Sequence, residues 1–111
     1  MNWIDLNNEQ QLTTIVEQSK TQPVVIFKHS TRCSISSMAK NRMERATPAP
    51  NTLFYYLDLI KYRALSNKVA ADFSIVHESP QIIMIKNGAC TYDESHNGIN
   101  MDETAEQAAM A

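Results

Sequence analysis

Four apolar residues in succession, Val24-Val25-Ile26-Phe27, constrain this chain more than any other stretch. A strand with one wet face alternates apolar and polar positions, whereas an unbroken run rich in β-branched and aromatic side chains needs cover on both faces. The chain must therefore supply helices on two sides of a sheet. A polar turn from Lys28 to Arg32 closes the run, and Cys33 then stands at the opening of a helix. Free backbone N–H groups and the positive end of the helix macrodipole both favour a thiolate there. Lys28, His29 and Arg32 add three basic side chains to the same turn. Cys33 thus reads as a reactive cysteine rather than a small packed one.

The flanking sequence supplies the cover. Trp3 to Leu6 is a short strand-like start, and Asn7 is a good N-cap with Gln10 at the capping-box position. Leu12, Ile15 and Val16 then recur at helical spacing and predict an amphipathic helix over 8–19. Beyond Cys33, the residues Ile35, Met38, Ala39 and Met43 keep the same period, which predicts a second helix with these side chains packed inward. Thr47-Pro48-Ala49-Pro50 must stop it, because two prolines forbid its continuation.

Thr52 to Leu59 reads as the next strand, and Tyr62, Leu65, Val69 and Phe73 mark a third helix. After the polar bend His77-Glu78-Ser79-Pro80, residues Gln81 to Lys86 form another strand. Asn87-Gly88 is a two-residue hairpin signal, so Ala89 to Asp93 should return antiparallel. Asn100-Met101-Asp102-Glu103 resembles a capping box that opens a last helix through Ala109. A βαβ pair followed by a ββα unit predicts an α/β fold: a mixed central sheet of four or five strands, flanked by helices on both faces and joined by right-handed crossovers. That outline is the thioredoxin fold, in a single domain over 1–111.

Composition narrows the partners. Twelve acidic residues against ten basic ones give a formal charge of −2, so no global attraction draws the chain to nucleic acid or to an anionic membrane. No apolar run approaches the roughly 20 residues that cross a bilayer, and the Met1-Asn2-Trp3-Ile4-Asp5 start lacks a signal pattern. The expectation is a cytoplasmic protein whose Cys33 and Cys90 stay reduced. Cys90, on a strand after a hairpin turn, reads as a packing residue.

A proline immediately before a strand is a candidate for a cis peptide bond, which Pro80 satisfies. In thioredoxin-like folds such a proline faces the reactive sulfur, and its neighbour, here Ser79, offers backbone groups to an incoming peptide or thiol. Phe27-Lys28-His29-Ser30-Thr31-Arg32-Cys33 with Ile35-Ser36, then Tyr56-Leu57-Asp58-Leu59, His77-Glu78-Ser79-Pro80-Gln81 and Lys86-Asn87-Gly88 resemble the monothiol bacilliredoxin family. The resemblance runs from the first helix to about residue 98. It implies removal of bacillithiol, a low-molecular-weight thiol, from mixed disulfides on cytoplasmic proteins, with Cys33 as the attacking thiol and Pro80 as the cis proline. The family's usual residue after the cysteine is proline, whereas Ser34 here leaves one more N–H free and removes a rigid φ.

Cys33-Ser34-Ile35-Ser36 is the single-thiol form of C-x-x-C. Cys33 can attack a mixed disulfide, but Ser36 cannot close an internal one, so a second thiol or a partner reductase must regenerate the site. No G-x-G-x-x-G is present, so no bound nicotinamide or flavin is expected and the low-molecular-weight thiol enters as co-substrate. Classical thioredoxins carry a buried carboxylate on the central strand ahead of the attacking cysteine, and the matching position here is Phe27.

Each flanking side chain has two readings. Lys28 and Arg32 are either solvated charges or the cations that hold a thiolate or the carboxylates of an anionic thiol. His29 reads as a solvated turn residue before a general base. Ser79 is either turn chemistry or a substrate contact, with Ser34 and Ser36 beside the thiol completing the candidate substrate-binding set. His77 and His96 lack partners at metal-ligand spacing, and the six methionines follow core spacing. Two other functions stay open: an iron–sulfur carrier of single-thiol glutaredoxin type, and a non-enzymatic thioredoxin-fold redox sensor or adaptor.

Overall fold

The computed structural model describes residues 1–110. Its elements are β1 (Trp3–Asp5), α1 (Gln10–Gln18), β2 (Val24–His29), α2 (Ser34–Arg45), β3 (Leu53–Asp58), α3 (Arg63–Asp72), β4 (Gln81–Lys86), β5 (Ala89–Ser95), a short 3₁₀ turn (His96–Gly98) and α4 (Met101–Ala109). The strands form one sheet in the order β1-β3-β2-β4-β5. β1 and β2 run parallel to β3, while β4 is antiparallel to both β2 and β5. The expected mixed sheet is present with five strands, and β2 lies at its centre.

Helices cover both faces, as the run at Val24 demands. Leu12 and Ile15 of α1 and Leu65, Val69 and Phe73 of the α3 segment pack with Val24, Ile26, Tyr55, Leu57, Ile83 and Ile85 on one side. On the other, Ala39 and Met43 of α2 and Met101 of α4 meet Val25, Phe27, Phe54, Ile82 and Met84. Alternate residues of β2 therefore feed two separate cores. No helix among the described residues is long and apolar enough to cross a membrane.

Several expectations shift. The central strand does not stop at Phe27 but continues through Lys28 and His29, both buried, because β3 pairs with both positions and β4 with Lys28. The first capping box is displaced by one residue: Asn8 Oδ1 accepts from Gln11 N at 3.1 Å, and Gln11 Oε1 accepts in return from Asn8 N at 3.2 Å. At the other end of the chain, Asn100 Oδ1 accepts from Glu103 N as expected. The inward face of α2 is Ser36, Ala39 and Met43; Ile35 and Met38 are 49% and 59% exposed. At about 100° per residue, burying Ser36 turns both of these outward. Met110 is exposed as well, so the methionines are not uniformly core residues. The hairpin at Asn87-Gly88 forms with positive φ at both residues, and β5 runs on to Ser95.

Candidate active site

The end of β2 determines the geometry of the cysteine. His29 O accepts from Leu59 N at 3.0 Å, fixing the strand end against β3, and Cys33 N donates to Ser30 O at 3.1 Å to close a tight turn. Cys33 is then the N-cap of α2, with extended backbone (φ −109°, ψ 122°), and its carbonyl accepts the first helical bond from Ser37 N. Its thiol is half-buried at the helix N-terminus, where the unpaired N–H groups of the first turn gather. Arg32 and Ser34 flank it, both exposed.

His29 is not a solvated turn residue. It is only 5% exposed, with its ring 6.0 Å from Phe27 and 5.7 Å from Tyr56. Its Nδ1 lies 2.7 Å from Ser36 Oγ, which also accepts from Ser30 N at 3.0 Å. Burial first, and then the Lys40 ammonium, hold the imidazole pKa below its ordinary value, against Asp58 and Glu44. In the tautomer with Nδ1 unprotonated, a neutral ring accepts a hydrogen bond from the Ser36 hydroxyl while Ser36 Oγ accepts from Ser30 N. Ser36, the residue at the resolving position, is therefore a buried brace across the cysteine turn.

Lys28 departs furthest from its expected role. It is fully buried and points to the α1/α3 side of the sheet, so it is neither a solvated charge nor a cation open to a ligand beside Cys33. Phe27 is fully buried on the α2 side against Trp3, with no carboxylate in its place.

The Ser79–Pro80 bond is cis, as expected from its place before β4. Pairing of Lys28 with Gln81 sets Pro80 beside the end of β2, where the cysteine turn departs. The loop is anchored to β4 and to the 3₁₀ turn after β5: Gln81 Nε2 donates to Val76 O at 2.9 Å, Glu78 N to Gln81 Oε1 at 3.3 Å, and His96 N to Pro80 O at 3.1 Å. Ser79 Oγ is buried without a hydrogen-bond partner. Ile60, which follows β3, and Val76, 79% exposed, leave apolar side chains at this end of the sheet along with Ile35.

Cys90 lies elsewhere. It pairs with Ile85, which pairs with Val24, so it stands at the opposite end of the sheet from the cysteine turn, about 17 Å away along the strand direction alone at 3.3–3.4 Å per residue. Its side chain packs on the α1/α3 core, and burial, the largest effect, pushes its thiol pKa up. Cys33 and Cys90 are both free.

The site is thus made of a cysteine at a helix start, a serine where a second thiol would be, and a cis-proline loop brought alongside by the sheet. Residues 4–104 match the family described as monothiol bacilliredoxin BrxC. The chain belongs to the monothiol bacilliredoxin family. Among solved structures, a candidate oxidoreductase with a thioredoxin fold superposes with TM-score 0.82 at 29% identity, covering 94% of this chain and 91% of its own. Thioredoxins of Malassezia sympodialis (TM-score 0.78, 18% identity, 98% and 92% covered) and Fasciola hepatica (TM-score 0.72, 20% identity, 94% and 97% covered) share the fold. The monothiol bacilliredoxin match and the thioredoxin fold together give the chain a thiol redox function. The expected fold class and family both hold.

In this bacilliredoxin, Cys33, Ser34, Ser36, Ser79 and Pro80 gather at one end of the sheet with His29, while the Lys28 side chain lies on the opposite face of β2 from His29 and Ser36. Two links escaped sequence reasoning, His29 with Ser36 and Lys28 with His77. The one available signal was alternation: two polar residues continuing an apolar strand take opposite faces.

Proposed function

We propose that this protein removes a low-molecular-weight thiol, bacillithiol, from mixed disulfides on cytoplasmic proteins, with Cys33 as the only exchanging thiol. The Cys33 thiolate attacks the small thiol's sulfur in protein–S–S–thiol. The old S–S bond breaks, the protein leaves as its thiolate and takes a proton from solvent, and a Cys33–S–S–thiol disulfide forms. An external thiol or a partner reductase then attacks that disulfide and supplies the electron pair that returns Cys33. The observation that carries this reading is that position 36 beside Cys33 holds a serine, bonded to His29 and Ser30, while Cys90 lies toward the opposite end of β2, so the site has one sulfur and no internal route to resolution. Arg32 and the free N–H groups after Cys33 are the groups to meet the small thiol's carboxylates; Ser79 and Pro80 meet the protein side.

The test is release of free protein thiol from a bacillithiol-modified substrate under turnover with excess reduced bacillithiol. Wild-type protein should release it and Cys33→Ala should not, whereas Cys90→Ala should behave as wild type. Equal release by Cys33→Ala would overturn the proposal.

A further inference from the structure

Lys28 and His29 are adjacent on β2, so the strand's alternation sends their side chains to opposite faces. His29 closes the Cys33 turn through Ser36. Lys28 on the other side places Nζ 3.1 Å from Ser66 O of α3 and 3.1 Å from His77 Nδ1, in the loop that leads to Ser79 and Pro80. Its partners are thus a carbonyl and an imidazole. Burying an ammonium on such partners is costly, and an apolar residue of similar volume would fill the space without that cost. A charge kept at that position points to a use for the bond it makes.

Other contacts of the loop run to β4, to the 3₁₀ turn after β5 and to α3: Gln81 to Val76 and Glu78, His96 N to Pro80 O and His96 Nε2 to Glu78 Oε2 at 3.7 Å, Ile75 N to Ala70 O. The bond from Lys28 joins it to the strand that delivers Cys33. We infer that Lys28 is a positioning residue: by donating to His77 it ties the cis-proline loop to β2 and so holds the two halves of the exchange site in register. The inference rests on the function proposed above for what the loop docks, a protein mixed disulfide, and it replaces direct substrate contact as the role of Lys28.

The tie is acid-sensitive. His77 accepts at Nδ1 only while unprotonated, and three groups face it: Lys28 from β2, Arg63 from α3 and Glu78 from its own loop. Burial first, then Lys28 and Arg63, lower its pKa, against Glu78. The bond is therefore made near pH 7 and lost as pH falls through the lowered value, when two cations would face each other. Burial lowers the Lys28 pKa to about 8, so at neutral pH the lysine is still mainly the charged donor.

Amide hydrogen exchange near pH 7, read beside kinetics, tests this in Lys28→Met, His77→Leu and His77→Gln. In Lys28→Met and His77→Leu, exchange at residues 75–79 should quicken about tenfold while the β2–β4 ladder stays within about twofold of wild type. His77→Gln keeps an acceptor and should stay near wild type. KM for a bacillithiol-modified protein should rise about threefold or more in the first two variants, with Cys33 reacting with the small disulfide 5,5′-dithiobis(2-nitrobenzoic acid) within about twofold of wild type. Unchanged loop exchange, equal loosening of the ladder, or a loosened loop with unchanged KM would each overturn the assignment. Should wild-type protein fail to turn over the mixed disulfide, the proposed function falls, and loop exchange alone decides whether Lys28 ties the loop.

Discussion

Ser36 Oγ stands 2.7 Å from His29 Nδ1 and 3.0 Å from Ser30 N, with Ser36 and His29 buried and Ser30 half-buried. One hydroxyl thus joins the end of β2, the cysteine turn and the first turn of α2. The position that holds a second thiol in two-cysteine relatives holds a structural bond here.

Ser36→Ala should accordingly destabilise the protein by about 1–3 kcal/mol, since it leaves a buried imidazole nitrogen and a half-buried N–H without their partner. At about 4 °C per kcal/mol for a domain of this size, the melting temperature falls by roughly 4–12 °C. Thermal unfolding followed by circular dichroism measures it, and an unchanged melting temperature contradicts the bond's contribution.

Ser36→Cys tests the same position chemically. One helical turn, about 5.4 Å, separates residues 33 and 36, within the roughly 4.4–6.8 Å between Cα atoms that a disulfide spans. Mild oxidation should close a 33–36 bridge, read as a loss of two hydrogens by intact mass and of both thiols by titration. Wild-type protein should form no internal bridge, because Cys90 lies at the far end of β2. Three titratable thiols in oxidised Ser36→Cys, in place of the one left on Cys90, would show that position 36 does not face Cys33.

Much of this was legible in the sequence. The unbroken run at Val24, the two prolines after α2 and Asn87-Gly88 sufficed for element order and sheet direction, because each acts locally. Pro80 and Cys33 could be paired because fold topology alone brings a loop before β4 beside the end of β2. Lys28 and His29 were misplaced for a physical reason: polar residues after an apolar run look like a turn unless cross-strand pairing extends the strand, and β3 and β4 lie far away in the chain. Ile35 and Met38 were misplaced because burying Ser36 rotates α2, and a serine carries no inward signal until its partner His29 is known.

Titration of the buried His29 and the half-buried His77 follows from their surroundings. His29 and His77 both have pKa values lowered from about 6.5, each chiefly by burial. A group whose folded pKa lies below its unfolded one contributes stability that is present above pH ~6.5 and lost as pH falls through the folded value. NMR titration of the ring protons should place both midpoints below 6.5, and His29→Gln should reduce the loss of unfolding free energy between about pH 7 and 5. A His29 midpoint at or above 6.5 contradicts a ring buried without an anionic partner.

The two thiols should react unequally. Cys33 is half-buried at a helix N-terminus, whereas burial pushes the Cys90 thiol up. Limiting iodoacetamide near neutral pH should alkylate Cys33 first, by about tenfold in peptide mapping, given the dependence of rate on thiolate. Equal labelling would remove the distinction.

The most direct measurement is the mass of the protein after brief exposure to a bacillithiol-modified protein without reductant. The expected result is one bacillithiol on Cys33, joined by a disulfide that dithiothreitol removes, with one substrate thiol released per adduct. An unmodified Cys33 beside intact substrate would contradict one-thiol exchange at this site.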